Sequence, residues 1–364
     1  MILNDLEGLD TRAELAEILT TVFDRVAPRA EAVARAEAAA AGTYDSELWG
    51  RLNGEIGVVA LTVPEELGGA GATLAETAVV LELIGRRTAA VPFLGSFLAV
   101  EALVRADAAA ARERWLEPLM GGEAGGAASW AGALTAEETA TGWTVTGHLE
   151  VVVDGHSADV VIAPATSRDG ERWFAIDLAG CSRRRLEALD LTREVANLRL
   201  DDASAIPIPT SDADGLRREL QDLAALALAV EQLGVAEQSL ADAVDYAKIR
   251  EQFGRTIGSF QALKHLLADM ATEADLARSL VEHALWVAAE RPTELTEAAA
   301  MAMLGASRAA VFASGENVQV HGGIGFSWEH PAHLYFRKAR SNDALLATRA
   351  ELSERVLNAR GAFR

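Results

Sequence analysis

Apolar residues recur with a helical period over most of this chain and with a period of two only in its middle. From Arg12 to about Ala41, the positions Leu15, Ile18, Leu19, Val22, Phe23 and Val26 mark one face of a solvent-facing amphipathic helix. Pro64–Gly69 punctuates the next stretch, after which Leu74–Arg87 and Phe93–Ala106 read as helices interrupted at Pro92. The period changes after Gly121–Gly126. Trp143, Val145, Gly147, Leu149, Val151 and Val153 alternate with the residues between them, the pattern of a half-buried strand, and Val160–Ala163, Trp173–Leu178 and Val195–Leu200 read as further strands. Ala203–Gly215, with Pro207, Pro209, Asp212 and Asp214, reads as the exit linker. Helical spacing then returns: Leu216, Leu220, Leu223, Leu226, Val230, Leu233, Leu240 and Val244 predict one long helix, and three more are expected near 260–290, 295–318 and 332–359. The expected fold class is α+β, mainly α, with an N-terminal helical domain (1–122), a small β-barrel or sheet domain (123–210) and a C-terminal four-helix bundle (211–364).

Charge narrows the partners. Among 364 residues, 33 basic side chains face 54 acidic ones, a net charge of −21, which offers nothing general to a phosphate backbone or an anionic lipid surface, so neither nucleic acid nor membrane is an expected partner. The lysines are Lys248, Lys264 and Lys338, all in the last third. One cysteine, Cys181, excludes an intrachain disulfide and a zinc site built on several thiolates, and no metal site is expected. The N-terminal run Met1–Glu7 has no basic segment followed by an apolar one, and no uncharged apolar stretch approaches about 20 residues, so the expected location is cytoplasmic.

Two runs carry candidate chemistry. Arg250-Glu251-Gln252-Phe253-Gly254-Arg255-Thr256-Ile257-Gly258-Ser259-Phe260-Gln261 lies between two long helices, where Gly254 and Gly258 are expected to stop the first and Ser259 to begin the second. An arginine beside such a turn can grip a phosphate through two parallel hydrogen bonds, or it can simply cap the helix or form a surface ion pair. Gln319-Val320-His321-Gly322-Gly323-Ile324-Gly325-Phe326 follows another helix; its glycines allow close backbone approach and leave amides for an anionic ligand, or they form only a C-cap.

Together these runs resemble the acyl-CoA dehydrogenases, flavoproteins whose C-terminal helical domain carries an Arg-x-x-Phe-Gly turn and a Gln-x-x-Gly-Gly-x-Gly turn. The resemblance extends through Pro64–Gly69, Glu76–Arg87, Phe260–Met270 and Trp328–Pro331 into Arg337 and Arg340, and so covers nearly the whole chain. It implies FAD at a subunit interface, acyl-CoA as substrate and an electron-transfer flavoprotein as electron acceptor. By resemblance Arg250 pairs with the pyrophosphate, Phe253, Ile257 and Phe260 border the adenine side, and Gln319, Gly322 and Gly323 meet the pyrophosphate or adenosine of a flavin held by the neighbouring subunit.

The sequence departs from that family where the flavin ring and the base belong. The family's Thr-Glu-Pro and Gly-Ser-Asp loop is replaced in the Trp130–Gly142 region, where Ala133-Leu134-Thr135 is followed by Ala136-Glu137-Glu138. Val151 and Val153 stand where the family has Trp and a hydroxyl residue. The two familiar positions of the glutamate base hold Leu346 and Ala224, neither of which can accept a proton. Glu231, which interrupts the apolar run Leu223–Ala236, is a conceivable substitute base, since burial would raise its pKa; its plain and favoured reading is a buried or interface glutamate bonded to another helix. Asp343 is a weaker candidate and reads as an exposed helical aspartate. His330 and His333 read as packing and surface groups, His265 and His321 as lining a helix interface, Cys181 as an isolated thiol, and Arg183–Arg185 as a solvated turn.

The leading expectation is a subunit of an acyl-CoA dehydrogenase-type flavoprotein whose homologous partner supplies the ring contacts and the base. The alternatives are a complete homomeric dehydrogenase using Glu231, and a non-catalytic scaffold of the same fold.

Overall fold

The computed structural model describes residues 9–361 except Thr43 and Ala131; the Met1–Glu7 run lies outside the described residues. Its N-terminal layer contains α1 (Leu9–Val26), α2 (Ala32–Ala41), the short α3 (Ser46–Trp49), α4 (Leu74–Arg87), α5 (Phe93–Arg105) and α6 (Ala109–Gly121). The single helix expected over Arg12–Ala41 is in fact two. Pro28, in extended geometry (φ −61°, ψ 144°), holds its neighbours out of helical conformation, and a 3₁₀ turn at Arg29–Glu31 starts α2 afresh. The start of α4 is fixed locally: Thr73 and Glu76 form a reciprocal capping box.

The middle of the chain folds into β1 (Gly126–Ala128), β2 (Gly132–Thr139), β3 (Gly142–Val153), β4 (Val160–Ser167), β5 (Gly170–Asp177), β6 (Ser182–Arg185) and β7 (Val195–Ile208). Pairing runs β4-β2-β3-β7-β5 and returns from β5 to β4, so these five strands close on themselves, with β1 added along β4 and β6 along β7. Closure leaves fewer free edges. Two segments read as irregular are strands: Ala133–Thr135 lies within β2, and β7 runs through the proposed linker to Ile208, where its last residues pair with β5. Arg183–Arg185 is strand rather than solvated turn. Arg183 donates to the His156 and Leu178 carbonyls at 2.8 and 2.9 Å, and Arg185 donates to the Ala39 and Ala40 carbonyls, both at 2.9 Å, capping the end of α2. The alternation in β3 also breaks. A bulge between Leu149 and Val152 turns Val151 outward (50% exposed, φ 53°), and Val152 enters the barrel core.

The C-terminal helices are α7 (Ala213–Ile249), α8 (Gln261–Glu290), α9 (Leu295–His321), α10 (Ala332–Asn342) and α11 (Arg349–Ala359). The last expected helix is therefore split, because the chain passes through a left-handed Leu346 (φ 66°) and restarts with a Thr348–Glu351 capping box. The segment Pro292–His321 matches a membrane span in length and hydropathy, yet α9 packs against α7, α8, α10 and α11 as a core helix. One continuous apolar core joins the N-terminal and C-terminal helices, and a second fills the barrel. At the α4–α7 crossing, Gly85 lies against the Glu231 carbonyl and Gly234 against that of Glu82, so close that an added Cβ would sit 2.1 and 2.2 Å from those oxygens.

Candidate active site

The first candidate turn begins before its glycines, because the helix stops well short of Gly254. α7 ends at Ile249, Arg250 is already extended, and Glu251–Gln252 pairs with Arg255–Thr256 as β8 and β9 of a two-residue hairpin. Phe253 and Gly254 form its tip with φ of 57° and 77°, a geometry natural for glycine and costly for phenylalanine. Phe253 is nonetheless 92% exposed. Gly258 packs the hairpin's return against α7, where a Cβ would meet the Ala247 carbonyl at 2.8 Å, and α8 begins at Gln261 rather than Ser259. Phe260 meets Phe253 edge-on at 6.1 Å, with the Arg255 guanidinium 4.1 Å above its ring. Ile257 is half-buried behind it.

The second turn closes α9. Gly322 takes a conformation (φ 60°, ψ −136°) open to glycine, and its N–H donates to the Gln319 carbonyl at 3.1 Å, so this amide is turned inward. Gln319, Gly322 and Gly323 are exposed, and a Cβ on either glycine would meet nothing within 4 Å. The structure joins the two turns directly, because Tyr246 of α7 stacks on His321 of α9 with ring centroids 4.3 Å apart. Arg250 is exposed and has no ion-pair partner among the described residues, although the chain is strongly acidic.

Regular strand and helix occupy most of the segments where the sequence departs from the family. β2 turns into β3 between Thr139 and Gly142, a tight hairpin where the expected loop would lie. Ala224 is buried, and Leu346 occupies the α10–α11 connection. Between α4, α5 and α7, a void of about 10 Å³ lined by Leu81, Phe97, Leu223, Ala227 and Val230 has room for about one water and none for a substrate chain. A cleft of about 610 Å³ lies outside the barrel, lined by Trp130, Thr135, Thr146, Thr166, Glu171 and Arg217.

Glu231 sits in a buried ion-pair cluster. It is 1% exposed, its carboxylate pairs with Arg193 from the β6–β7 loop, and Lys338 of α10 lies 2.5 Å away. Burial alone would raise its pKa, but Arg193 and then Lys338 outweigh burial and hold it at about 2. A carboxylate so stabilised as an anion and so enclosed is a poor proton acceptor. Lys338 also reaches Asp190 at 3.3 Å and Thr192 at 3.0 Å. The reading of Glu231 as a buried glutamate bonded to another helix holds, but its partners were not foreseen in the sequence. Lys338 did leave a signal, since it shares the buried face of α10 with Leu334, Tyr335 and Asn342. Nearby Asp154 accepts from the Gly95 N–H at 2.8 Å, and burial pushes its pKa up to about 7.

Among the weaker candidates, Asp343 follows α10 and pairs with Arg349 at 2.9 Å. His265 is exposed rather than at a helix interface, whereas His321 is buried there. His333 Nε2 lies 3.1 Å from the Trp328 carbonyl. Cys181 is a free thiol. No group of three or more metal-ligating side chains occurs among the described residues.

The chain is similar to known proteins along most of its length. Residues 12–123 match the family model of the acyl-CoA dehydrogenase N-terminal domain, and residues 217–346 that of the C-terminal domain. The chain is 39% identical over 338 residues to the acyl-CoA dehydrogenase IpdE2 of Mycobacterium tuberculosis, covering 92% of this chain and 94% of that one. It superposes on a chain of the ChsE4-ChsE5 complex from Mycobacterium tuberculosis with a TM-score of 0.85 at 28% identity, covering both chains fully. It is similar too to a chain of the Tcur3481-Tcur3483 steroid ACAD, with a TM-score of 0.86, 28% identity, and 97% and 98% of the two chains covered.

Proposed function

The chain belongs to the acyl-CoA dehydrogenase family, and we propose that it is the flavin-completing subunit of a heteromeric enzyme that oxidises an acyl-CoA thioester between its α and β carbons. The observation that carries this reading is Arg250: an exposed guanidinium with no ion-pair partner among the described residues, in a protein of charge −21, one helical turn from the Tyr246 ring that ties it to the Gln319 turn. Its fork fits the pyrophosphate of FAD, the cofactor on which the family depends. Gln319 and Gly323 would approach the adenosine, Gly322 supplies the left-handed bend, and Phe253, Ile257 and Phe260 would border the adenine. When bound, FAD accepts the hydride leaving the β-carbon.

These groups bind and orient; none of them takes the α-proton. Leu346 and Ala224 cannot, and Glu231 is committed to Arg193 and Lys338. The base and the ring contacts therefore come from a homologous partner, and the electrons pass on to an electron-transfer flavoprotein. The similarity to a steroid ACAD chain favours a bulky, sterol-derived acyl group. The same ion pairs argue against a homomeric enzyme using Glu231.

The test is flavin content and turnover of the complex recovered through a tag on this chain, compared with the chain purified alone. The complex should be yellow and active, and the lone chain colourless and inactive. Arg250→Ala should weaken FAD retention by about 1.5–3 kcal/mol. Robust acyl-CoA oxidation by the pure homomer would overturn the reading, and a flavin-free complex would leave the scaffold alternative.

A further inference from the structure

We propose that Tyr246 and His321 are positioning residues: their stacked rings hold the Arg250 turn and the Gln319 turn in one relation, so that a flavin nucleotide meets both together. This rests on the reading of those turns as flavin contacts.

The relation is built into the packing of α7 on α9. Gln232 donates to Ser307 at 3.4 Å across a separation of 75 residues, and Tyr246 and His321 are also 75 residues apart (321 − 246). A constant offset over two heptads means that the two helices run parallel and in register. Between those contacts many of the buried residues are small, including Ala236, Ser239, Ala243, Ala310, Ala313 and Ser314, which lets the helices pack closely. The ring pair lies near the C-terminal ends of both helices, Ile249 and His321.

Local bonds carry the position of each ring to its turn. His321 Nδ1 lies 2.9 Å from the Asn317 carbonyl, which can only accept, so Nδ1 carries the proton and the ring plane is fixed. Gly325 lets the following loop fold back, since a Cβ there would meet that of His321 at 2.7 Å. His330 then covers His321 with ring centroids 4.4 Å apart, accepting the Ala332 N–H on its Nδ1 at 3.2 Å. On the other side, the Arg250 N–H donates to the Tyr246 carbonyl at 2.9 Å, and the Arg250 carbonyl accepts from Ile257 at 2.8 Å. A single residue, Val320, separates His321 from Gln319. Displacing either ring therefore misaligns two groups that must reach one ligand, which loses affinity without removing a ligand contact.

The experiment uses the complex purified from the native host through a tag on this chain, with FAD as the probe and hydrogen exchange of the 251–257 amides as a second readout. A ring pair of this kind corresponds to about a two- to tenfold change in an equilibrium, so Tyr246→Leu and His321→Ala should each weaken FAD binding by about that factor and speed exchange in the hairpin. Tyr246→Phe, which keeps the ring, should match the wild type. In an Arg250→Ala, Gln319→Ala background, Tyr246→Leu should add no further loss. Tyr246 is half-exposed, so its variants keep the test valid if His321→Ala does not fold. Weakened binding in Arg250→Ala with none in Tyr246→Leu overturns the positioning role alone. Unchanged binding in Arg250→Ala removes the reading on which it rests, and the positioning role with it. A Tyr246→Phe as damaging as Tyr246→Leu also rejects the ring pair.

Discussion

Lys338 of α10 places its ammonium 2.5 Å from the Glu231 carboxylate of α7, and neither side chain is more than 1% exposed. With Arg193 and Asp190 the pair forms a buried cluster of two cations and two anions that ties the β6–β7 loop to both helices. Removing one member leaves a buried charge without its partner. Glu231→Ala should therefore destabilise the protein by about 3–5 kcal/mol in urea unfolding, whereas Glu231→Leu combined with Lys338→Met should recover part of the loss. A Glu231→Ala variant as stable as wild type would show that the cluster is not closed.

Two buried carboxyls give stability opposite dependences on pH. Glu231, held at about 2, contributes stability that is present above its ordinary range near 4.5 and lost as pH falls towards 2. Asp154, raised to about 7 from 3.8, binds a proton in the folded state that the unfolded chain releases, so its contribution falls as pH rises through that window and levels off above it. Asp154→Asn retains an acceptor for the Gly95 N–H and removes the charge. Its unfolding midpoint should vary less than that of wild type between about pH 5 and about pH 8. Identical slopes would mean that Asp154 is ionised throughout.

Gly85 and Gly234 each face a carbonyl of the opposite helix at a distance that no Cβ tolerates. Gly85→Ala should push α4 from α7 and cost about 1–3 kcal/mol or more, despite alanine's better helix propensity. A midpoint unchanged or raised in urea would show that the helices do not cross so closely.

Phe253 sits at a left-handed position and exposes nearly its whole ring. Asparagine suits that backbone better, so Phe253→Asn should leave the fold as stable as wild type or slightly more so while weakening FAD retention in the complex. Loss of stability with flavin retained would reverse that account of the residue.

Local signals made several of the helices legible in the sequence. Leu74–Arg87 coincides with α4 because its apolar spacing and the Thr73–Glu76 cap all lie within a few turns of one another. The Arg250 and Gln319 runs were legible for the same reason, since glycine and arginine at short spacing define a turn and its charge wherever the chain lies. Long-range contacts decided the rest. β7 continues through Pro207 to Ile208 because β5 is there to pair with it, and Arg183–Arg185 is a strand because β7 offers an edge. Glu231 shows the difference most clearly: its apolar neighbours within α7 foretold burial, but the direction of its pKa depends on Arg193, 38 residues away, and Lys338, 107 residues away (338 − 231), both beyond the reach of any local pattern. Burial is written in the period of a helix, whereas the field at a buried charge is set by whichever side chains the tertiary fold brings within a few ångströms of it.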